Sequence, residues 1–136
     1  MSYGAAAALQ AAIYQRLVGD AALGALVGEA IYDALPSGAL PPTYVSVGPE
    51  EVRDASDGTG RGALHRFTVS VVTDAAGFEQ AKAAAGAVSD ALTGAALDLA
   101  RGHLVRLDFE RARARRVGAR DRRRIDLRFA ARVSDD

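Results

Sequence analysis

The sequence contains no cysteine and no tryptophan, and it has a single methionine among its 136 residues. The absence of cysteine excludes disulfide bonds, thiolate nucleophiles and metal sites with cysteine ligands. No apolar run reaches the roughly 20 residues that a helix needs to span a bilayer, so no membrane partner is expected. The first residues lack a basic segment, and a signal peptide is therefore not expected.

The length and the apolar content predict one folded domain over residues 1–136. Hydrophobic residues make up 49% of the chain and charged residues 25%, which is enough apolar material for an ordinary core. The chain length is also close to the commonest size of a single domain.

The charges are unevenly distributed although the net charge is zero. Residues 1–100 carry 5 basic and 11 acidic side chains, a balance of −6. Residues 101–136 carry 12 arginines and 6 acidic side chains, a balance of +6. This division predicts a molecule with two differently charged surfaces.

Apolar periodicity predicts three helices. Leu9, Ile13 and Leu17 recur at helical spacing in the first predicted helix. Asp20 is suited to cap a second helix that ends at Gly28. The third helix has one apolar face, formed by Phe78, Ala81, Ala85, Val88 and Leu92.

Alternating apolar and polar residues predict four strands, at 44–47, 64–73, 105–110 and 124–133. In the third strand, Val105, Leu107 and Phe109 are expected to face the core. The turn before the last strand is expected around Gly118, and Ile31–Tyr32 is expected to be a short extended piece. The predicted order is α-α-β-β-α-β-β, an α+β fold with a four-stranded, mostly antiparallel sheet and helices packed on one face.

Residues 48–62 are polar, rich in glycine and without periodicity, so they predict a long loop of the kind that often has a function. The acidic residues lack the register of a calcium-binding loop. The glycines at 58, 60 and 62 lie between predicted strands, where they cannot aim a helix N-terminus at phosphate. The charged residues of this predicted loop are Glu50, Glu51, Arg53, Asp54, Asp57 and Arg61.

No residue pattern indicates catalysis. His65 and His103 each stand at the start of a predicted strand, without the spacing of metal ligands, and are expected to be structural. No serine lies in a nucleophile-elbow motif. The sequence therefore predicts no catalytic residue, no metal site and no cofactor, and a protein that is not an enzyme.

Eight arginines are concentrated within 14 residues near the C-terminus. They are Arg111, Arg113, Arg115, Arg116, Arg120, Arg122, Arg123 and Arg124. Three interpretations remain open: a protein interface, a solvated face paired with nearby carboxylates, or a contact with nucleic-acid phosphates. Aromatic residues are missing from 111–128, which argues against binding of single strands by base stacking.

The order of small motifs along the chain resembles a known family. The first part of the pattern is Leu9-Gln10-Ala11-Ala12-Ile13-Tyr14, Leu17, Asp20, Ala21, Leu23, Leu26-Val27-Gly28, Ile31-Tyr32-Asp33, Pro36, Pro42-Thr43-Tyr44-Val45 and Gly48. The second part is Gly62, Leu64, His65, Phe67, Val69, Val71 and Gly77. This pattern is similar to that of the small tail-completion or tail-terminator proteins of long-tailed phages and gene transfer agents, and the similarity covers nearly the whole chain.

The resemblance implies a structural subunit of a phage-like virion, made in the cytoplasm of a bacterial host. Such proteins form a ring, commonly of six copies, at the head-proximal end of the tail. The ring caps the tail tube protein and joins it to the head-side connector or stopper protein, while double-stranded DNA passes through its lumen. No catalysis is part of this function.

In such a ring, the arginine-rich hairpin is expected to form inter-subunit or DNA-channel contacts. The charged residues of the predicted loop are expected to face an adjacent ring. Two alternatives remain at this stage: another head–tail joining protein of the stopper or neck type, and a nucleic-acid-binding regulator that uses the hairpin.

Overall fold

The structure, a computed structural model, describes residues 3–56 and 60–135. Within these residues the elements follow one another in the order α-α-β-β-β-α-β-β. They are α1 (Ala6–Val18), α2 (Ala21–Val27), β1 (Ile31–Tyr32), β2 (Thr43–Asp54), β3 (Gly62–Thr73), α3 (Glu79–Leu92), β4 (His103–Val117) and β5 (Arg122–Ser134).

The strands form one mixed sheet in the order β1-β2-β3-β5-β4. The predicted α+β class is confirmed, but the described residues contain five strands instead of four. The additional strand is Ile31–Tyr32, which pairs in parallel with β2 through Ile31 opposite Val45. All other neighbouring strands are antiparallel. The extended conformation expected for Ile31–Tyr32 is confirmed, but two residues have too little periodicity to predict the pairing that makes them a strand.

The core lies between the helices and one face of the sheet. Leu9, Ile13 and Leu17 of α1 are at most 2% exposed, as their helical spacing predicted. Alternate residues of β3 and β5 meet them in the same cluster, including the fully buried Val69 and Phe129. The opposite face of the sheet is polar along β5, and it is called the open face below.

Local signals fix the ends of α2 as predicted. The backbone N–H of Leu23 donates to Asp20 Oδ2 over 2.9 Å, which makes Asp20 the N-cap. Gly28 ends the helix with φ +62°, a conformation that glycine adopts at no steric cost. No helix in the described part of the chain is long and apolar enough to cross a membrane.

The long loop predicted for 48–62 is wrong, because most of it is a β-hairpin. Strand β2 continues to Asp54 and β3 begins at Gly62, so the connection comprises only 55–61. A bulge follows Val47, and pairing resumes with Glu50 opposite Phe67. Charged residues and a proline lower the strand propensity of this segment, but pairing with the long β3 overrides that propensity.

Of the three side chains predicted to face the core, Leu107 is buried, whereas Phe109 lies on the same side, opposite the buried Phe129, but is only partly covered, and Val105 does not face the core. Val105 is 53% exposed and Phe109 is 42% exposed. The β4–β5 register shifts just after Leu104 and again just after Phe109. Each bulge inserts a residue and reverses which side chains point inward. The predicted turn at Gly118 is confirmed, with a φ of +76°.

Candidate interaction surface

The arginine-rich segment forms the end of the β4–β5 hairpin, at one edge of the sheet. Arg111, Arg113, Arg115 and Arg116 lie on β4, and Arg122, Arg123 and Arg124 lie on β5. Arg120 lies in the turn between the two strands. The antiparallel register places Arg113 opposite Asp126 and Arg115 opposite Arg124. The structure therefore brings all eight residues together on one hairpin.

Two carboxylates hold four of these arginines. Asp126 Oδ1 accepts from Arg124 Nε over 2.9 Å, and Asp126 Oδ2 lies 3.3 Å from a terminal nitrogen of Arg115. At the turn, Arg116 Nε donates to Asp121 Oδ1 over 2.7 Å. Arg123 lies 3.7 Å from the same carboxylate and also stacks over the ring of Phe78, 5.7 Å from its centroid.

These contacts shift the pKa values of both carboxyl groups downward. Partial burial acts to raise the pKa of Asp126, but hydrogen bonds from Ser70, Arg124 and Arg115 outweigh burial and lower it. The Ser70 hydroxyl donates to Asp126 over 2.6 Å. The pKa of Asp121 is lowered chiefly by its hydrogen bond from Arg116. Both carboxylates are therefore ionised at neutral pH and fix the arginines beside them.

A second network of ion pairs lies on the open face, closer to the centre of the sheet. Glu110, beside the second β4 bulge, accepts from Arg66 Nε over 3.0 Å and lies 3.3 Å from Arg128 Nε. Asp126 and Glu110 thus each bridge two guanidinium groups, which leaves each cluster with a net positive charge.

The other four arginines of the hairpin have no ion pair or hydrogen bond from their side chains to any residue in the described ranges. They are Arg111, Arg113, Arg120 and Arg122. Internal carboxylates therefore account for only half of the cluster. The unpaired half can bind carboxylates or phosphates from outside the chain.

The hairpin borders an open groove of about 810 Å³ on the polar face of the sheet. Arg111 and Arg113 lie on one side of this groove, and Glu50 and Glu51 of β2 lie on another. The groove therefore presents both signs of charge. Within 3–56 and 60–135, no group of three histidine, cysteine or acidic residues could hold a metal ion.

The charged residues of the predicted loop do not share one loop tip. Glu50, Glu51, Arg53 and Asp54 belong to β2, Arg61 directly precedes β3, and Asp57 lies outside the described residues. Asp54 accepts from the Ser56 hydroxyl over 2.7 Å and from its N–H, and these bonds lower the pKa of Asp54.

Glu50 connects the N-terminus to the sheet. Its carboxylate lies 3.2 Å from Nδ1 of His65 and accepts the hydroxyl of Tyr3 over 2.9 Å. His65 is fully buried in the sheet, and its Nε2 has no partner among the described atoms. His103 is exposed at the start of β4.

Sequence reasoning missed an apolar surface on the helix side of the same hairpin. Residues 111–116 of β4 are all exposed, so neither face of this part of the strand is covered. Ala112 and Ala114 line a shallow cavity of about 270 Å³ together with Phe109 and the α3 residues Ala85 and Gly86. The alternation Arg-Ala-Arg-Ala over 111–114 is the signal that predicts one charged and one apolar side.

Two comparisons with known proteins connect the chain to a class of protein. Residues 11–134 match the family described as Tail completion protein gp17. The chain is also similar to one in a solved structure described as "Virion of native gene transfer agent (GTA) particle". The two chains are 66% identical, the match covers 98% of this chain and 99% of the other, and the TM-score is 0.92. No curated protein matches the chain.

The family match extends over most of the chain and confirms the resemblance found in the sequence. It also confirms that the protein is not an enzyme, because the family consists of structural tail proteins. The protein is a component of a virion tail and assembles with other tail proteins. The chain belongs to the phage tail-completion protein family.

Proposed function

We propose that the chain is a tail terminator that acts as one domain over residues 1–136. Six copies form a ring at the head-proximal end of the tail, after synthesis in the bacterial cytoplasm. The ring caps the tail tube protein and joins it to the head-side connector or stopper protein, and double-stranded DNA passes through the lumen. The observation that carries this proposal is the exposed end of β4, which no other described residue covers on either face or along its outer edge.

An exposed edge strand of this kind is suited to assembly. A sheet edge presents unpaired backbone groups, and soluble proteins usually cover or shorten such an edge. Here β4 has 15 residues and pairs only with β5 among the described strands. A closed ring needs two different patches on each copy, and the division between acidic residues 1–100 and basic residues 101–136 supports such a contact.

The same charges limit what can line the lumen. Six segments of +6 each would place about 36 positive charges near the DNA path, and each phosphate contact makes binding tighter and more dependent on salt. Asp121 and Asp126 already hold four arginines of each hairpin within the chain. Most of the arginines therefore make protein contacts, and only a minority lines the channel.

The charged residues Arg53, Asp54 and Arg61, at the end of the β2–β3 hairpin, form the contact with an adjacent ring. Arg53 and Asp54 lie at the end of β2 and Arg61 directly precedes β3, where the β2–β3 pairing closes with Asp54 opposite Ala63. Charged residues of this kind are typical of a polar, hydrated interface between two different rings and not of a hydrophobic interface.

The test is the mass of the protein in solution, measured by light scattering behind a sizing column. The protein is measured alone and with purified tail tube protein. A closed ring near six copies, alone or on the tube end, supports the terminator function. A monomer that ignores the tube and binds the head-side connector instead identifies a stopper-type joining protein. A monomer that binds only free DNA overturns both functions.

A further inference from the structure

The two edges of the sheet differ in charge and in shape. The β4 edge carries the unpaired Arg111 and Arg113, and the apolar Ala112 and Ala114 alternate with them. The opposite edge is the short strand β1 with the residues on either side of it. The sheet order separates these two edges by β2, β3 and β5.

The β1 edge carries unpaired carboxylates, which are complementary in charge to the unpaired arginines of the β4 edge. Glu29 and Asp33 flank β1 and are exposed, and neither side chain has an ion-pair partner in the described structure. Leu35 follows two residues after Asp33 and is 52% exposed. Unpaired carboxylates and an exposed apolar side chain thus lie at one edge, opposite an edge with unpaired guanidinium groups and an apolar surface.

We infer that β4 residues 109–114 of one copy pack against residues 29–35 of a second copy, and that this contact repeats around the ring. The inference rests on the proposed ring. Arg111 and Arg113 meet Glu29 and Asp33, while Leu35 packs near the exposed ring of Phe109. Arginine pairs bidentately with carboxylates, and the apolar contact adds burial to that pairing.

Two other occupants fit β4 less well. A second β4 strand would place arginines opposite arginines, and like charges across a strand pair are destabilising. It would also form a closed dimer, because such a contact uses the same patch on both copies. A DNA backbone would satisfy the guanidinium groups but would leave Phe109, Ala112 and Ala114 exposed to water.

Cross-linking tests the contact directly, because the chain contains no cysteine. Within one copy β1 and β4 are four strand spacings apart, about 19 Å, which is far beyond the reach of a disulfide. Under oxidation, Leu35→Cys/Phe109→Cys is expected to give a covalent ladder that stops at the ring size. The control is Leu35→Cys/Val18→Cys, whose second site is also exposed but lies on α1.

A charge exchange provides the second test and does not depend on oxidation. Arg111→Glu/Arg113→Glu is expected to raise the concentration for half assembly by about tenfold or more. Adding Glu29→Arg/Asp33→Arg in the same chain is expected to restore assembly. Arg120→Glu/Arg122→Glu makes the same charge change outside the contact and is expected to assemble as the wild type does.

The outcomes separate this inference from the proposed function. The contact is overturned, and the terminator function stands, if the wild-type protein forms a ring but the cross-linking variant gives no more covalent oligomer than the Val18 control. The same holds if the Arg111→Glu/Arg113→Glu variant assembles at the same concentration as the wild type. A loss of assembly that Glu29→Arg/Asp33→Arg does not restore also overturns the contact. The absence of any ring from the wild-type protein, alone and with the tube protein, overturns the proposed function itself.

Discussion

At the scale of single residues, arginines of one short segment have different roles because their neighbours differ. Arg115 and Arg124 share Asp126, which also accepts the Ser70 hydroxyl from the adjacent strand β3. Asp126 therefore connects β3, β4 and β5 through side chains. Arg111, four residues before Arg115 on β4, has no such partner in the described part of the chain. The first group stabilises the fold, and the second remains available for a partner.

We expect Asp126→Asn to lower the free energy of unfolding at pH 7 by about 1–2 kcal/mol, because it weakens charge-assisted hydrogen bonds at a partly buried site. The measurement is urea unfolding from pH 7 down to pH 2. The folded pKa of Asp126 is lowered, so its stabilisation is present above the ordinary carboxyl pKa and is lost as the pH falls through the lowered value. The difference between wild type and variant should therefore disappear in acid.

The control is Asp108→Asn, which removes an exposed carboxylate bonded to Arg106 over 2.7 Å. An exposed pair of this kind contributes about 0–1 kcal/mol, so this variant should lie close to the wild type. Equal effects of the two substitutions, or a difference that does not shrink as the pH falls, would refute the assigned role of Asp126.

At the scale of elements, the start of β4 is held in place by a glycine. Gly102 has φ +79°, and a Cβ added there would lie 3.0 Å from the carbonyl oxygen of Ser134 and 3.3 Å from Cβ of Ala5. The chain turns into β4 at this point, between the end of β5 and the start of α1. Both the backbone conformation and the close approach require glycine.

We expect Gly102→Ala to lower the free energy of unfolding by about 2–4 kcal/mol, because it adds steric overlap to backbone strain. Gly94→Ala provides the matched control: Gly94 has φ +70°, but nothing lies within 4 Å of its added Cβ. That variant should lose only about 1–2 kcal/mol, from the backbone alone. Urea unfolding compares the two, and a Gly94 variant as unstable as the Gly102 variant would show that the close approach contributes nothing.

The sequence predicts the elements that have their own periodicity and misses those defined by pairing. Helix α1 and strand β5 were predicted closely, since their apolar residues recur at regular spacing and all face the core. Strand β1 and the β2 extension depend on neighbours distant in the sequence. The β4 bulge after Leu104 leaves no local signal, so the predicted inward side was wrong at Val105, whereas Phe109 lies on the predicted side but is only partly covered.

At the scale of the whole molecule, the charge division was visible in the sequence, but the placement of the charges was not. Counting arginines identified the hairpin as the candidate surface. It could not show that Asp121 and Asp126 neutralise part of the hairpin from within, because those contacts depend on the β4–β5 register. Nor could it show that the unpaired carboxylates of Glu29 and Asp33 lie at the opposite sheet edge from Arg111 and Arg113.

This arrangement predicts how binding of double-stranded DNA changes on assembly. Below the concentration of ring assembly, all four unpaired arginines are accessible, and each phosphate contact contributes about −0.9 to the slope of log affinity against log salt. Arg111→Ala/Arg113→Ala should therefore make this slope shallower by about 2 in the unassembled protein. In the ring, where the neighbouring copy covers Arg111 and Arg113, the same variant should leave the slope unchanged, measured at a protein concentration high enough for the variant to assemble. Fluorescence anisotropy of a labelled duplex over a salt series measures both states.

Arg120→Ala/Arg122→Ala is the matched variant for this measurement, since it removes two unpaired arginines outside the proposed contact. It should make the slope shallower by a similar amount in the unassembled protein, which shows that the assay detects the loss of two guanidinium groups. If Arg111→Ala/Arg113→Ala flattens the slope in the assembled ring as well, these two arginines face the DNA channel. In that case the two arginines do not contact the neighbouring copy, and within β4 only the apolar side chains remain available for that contact.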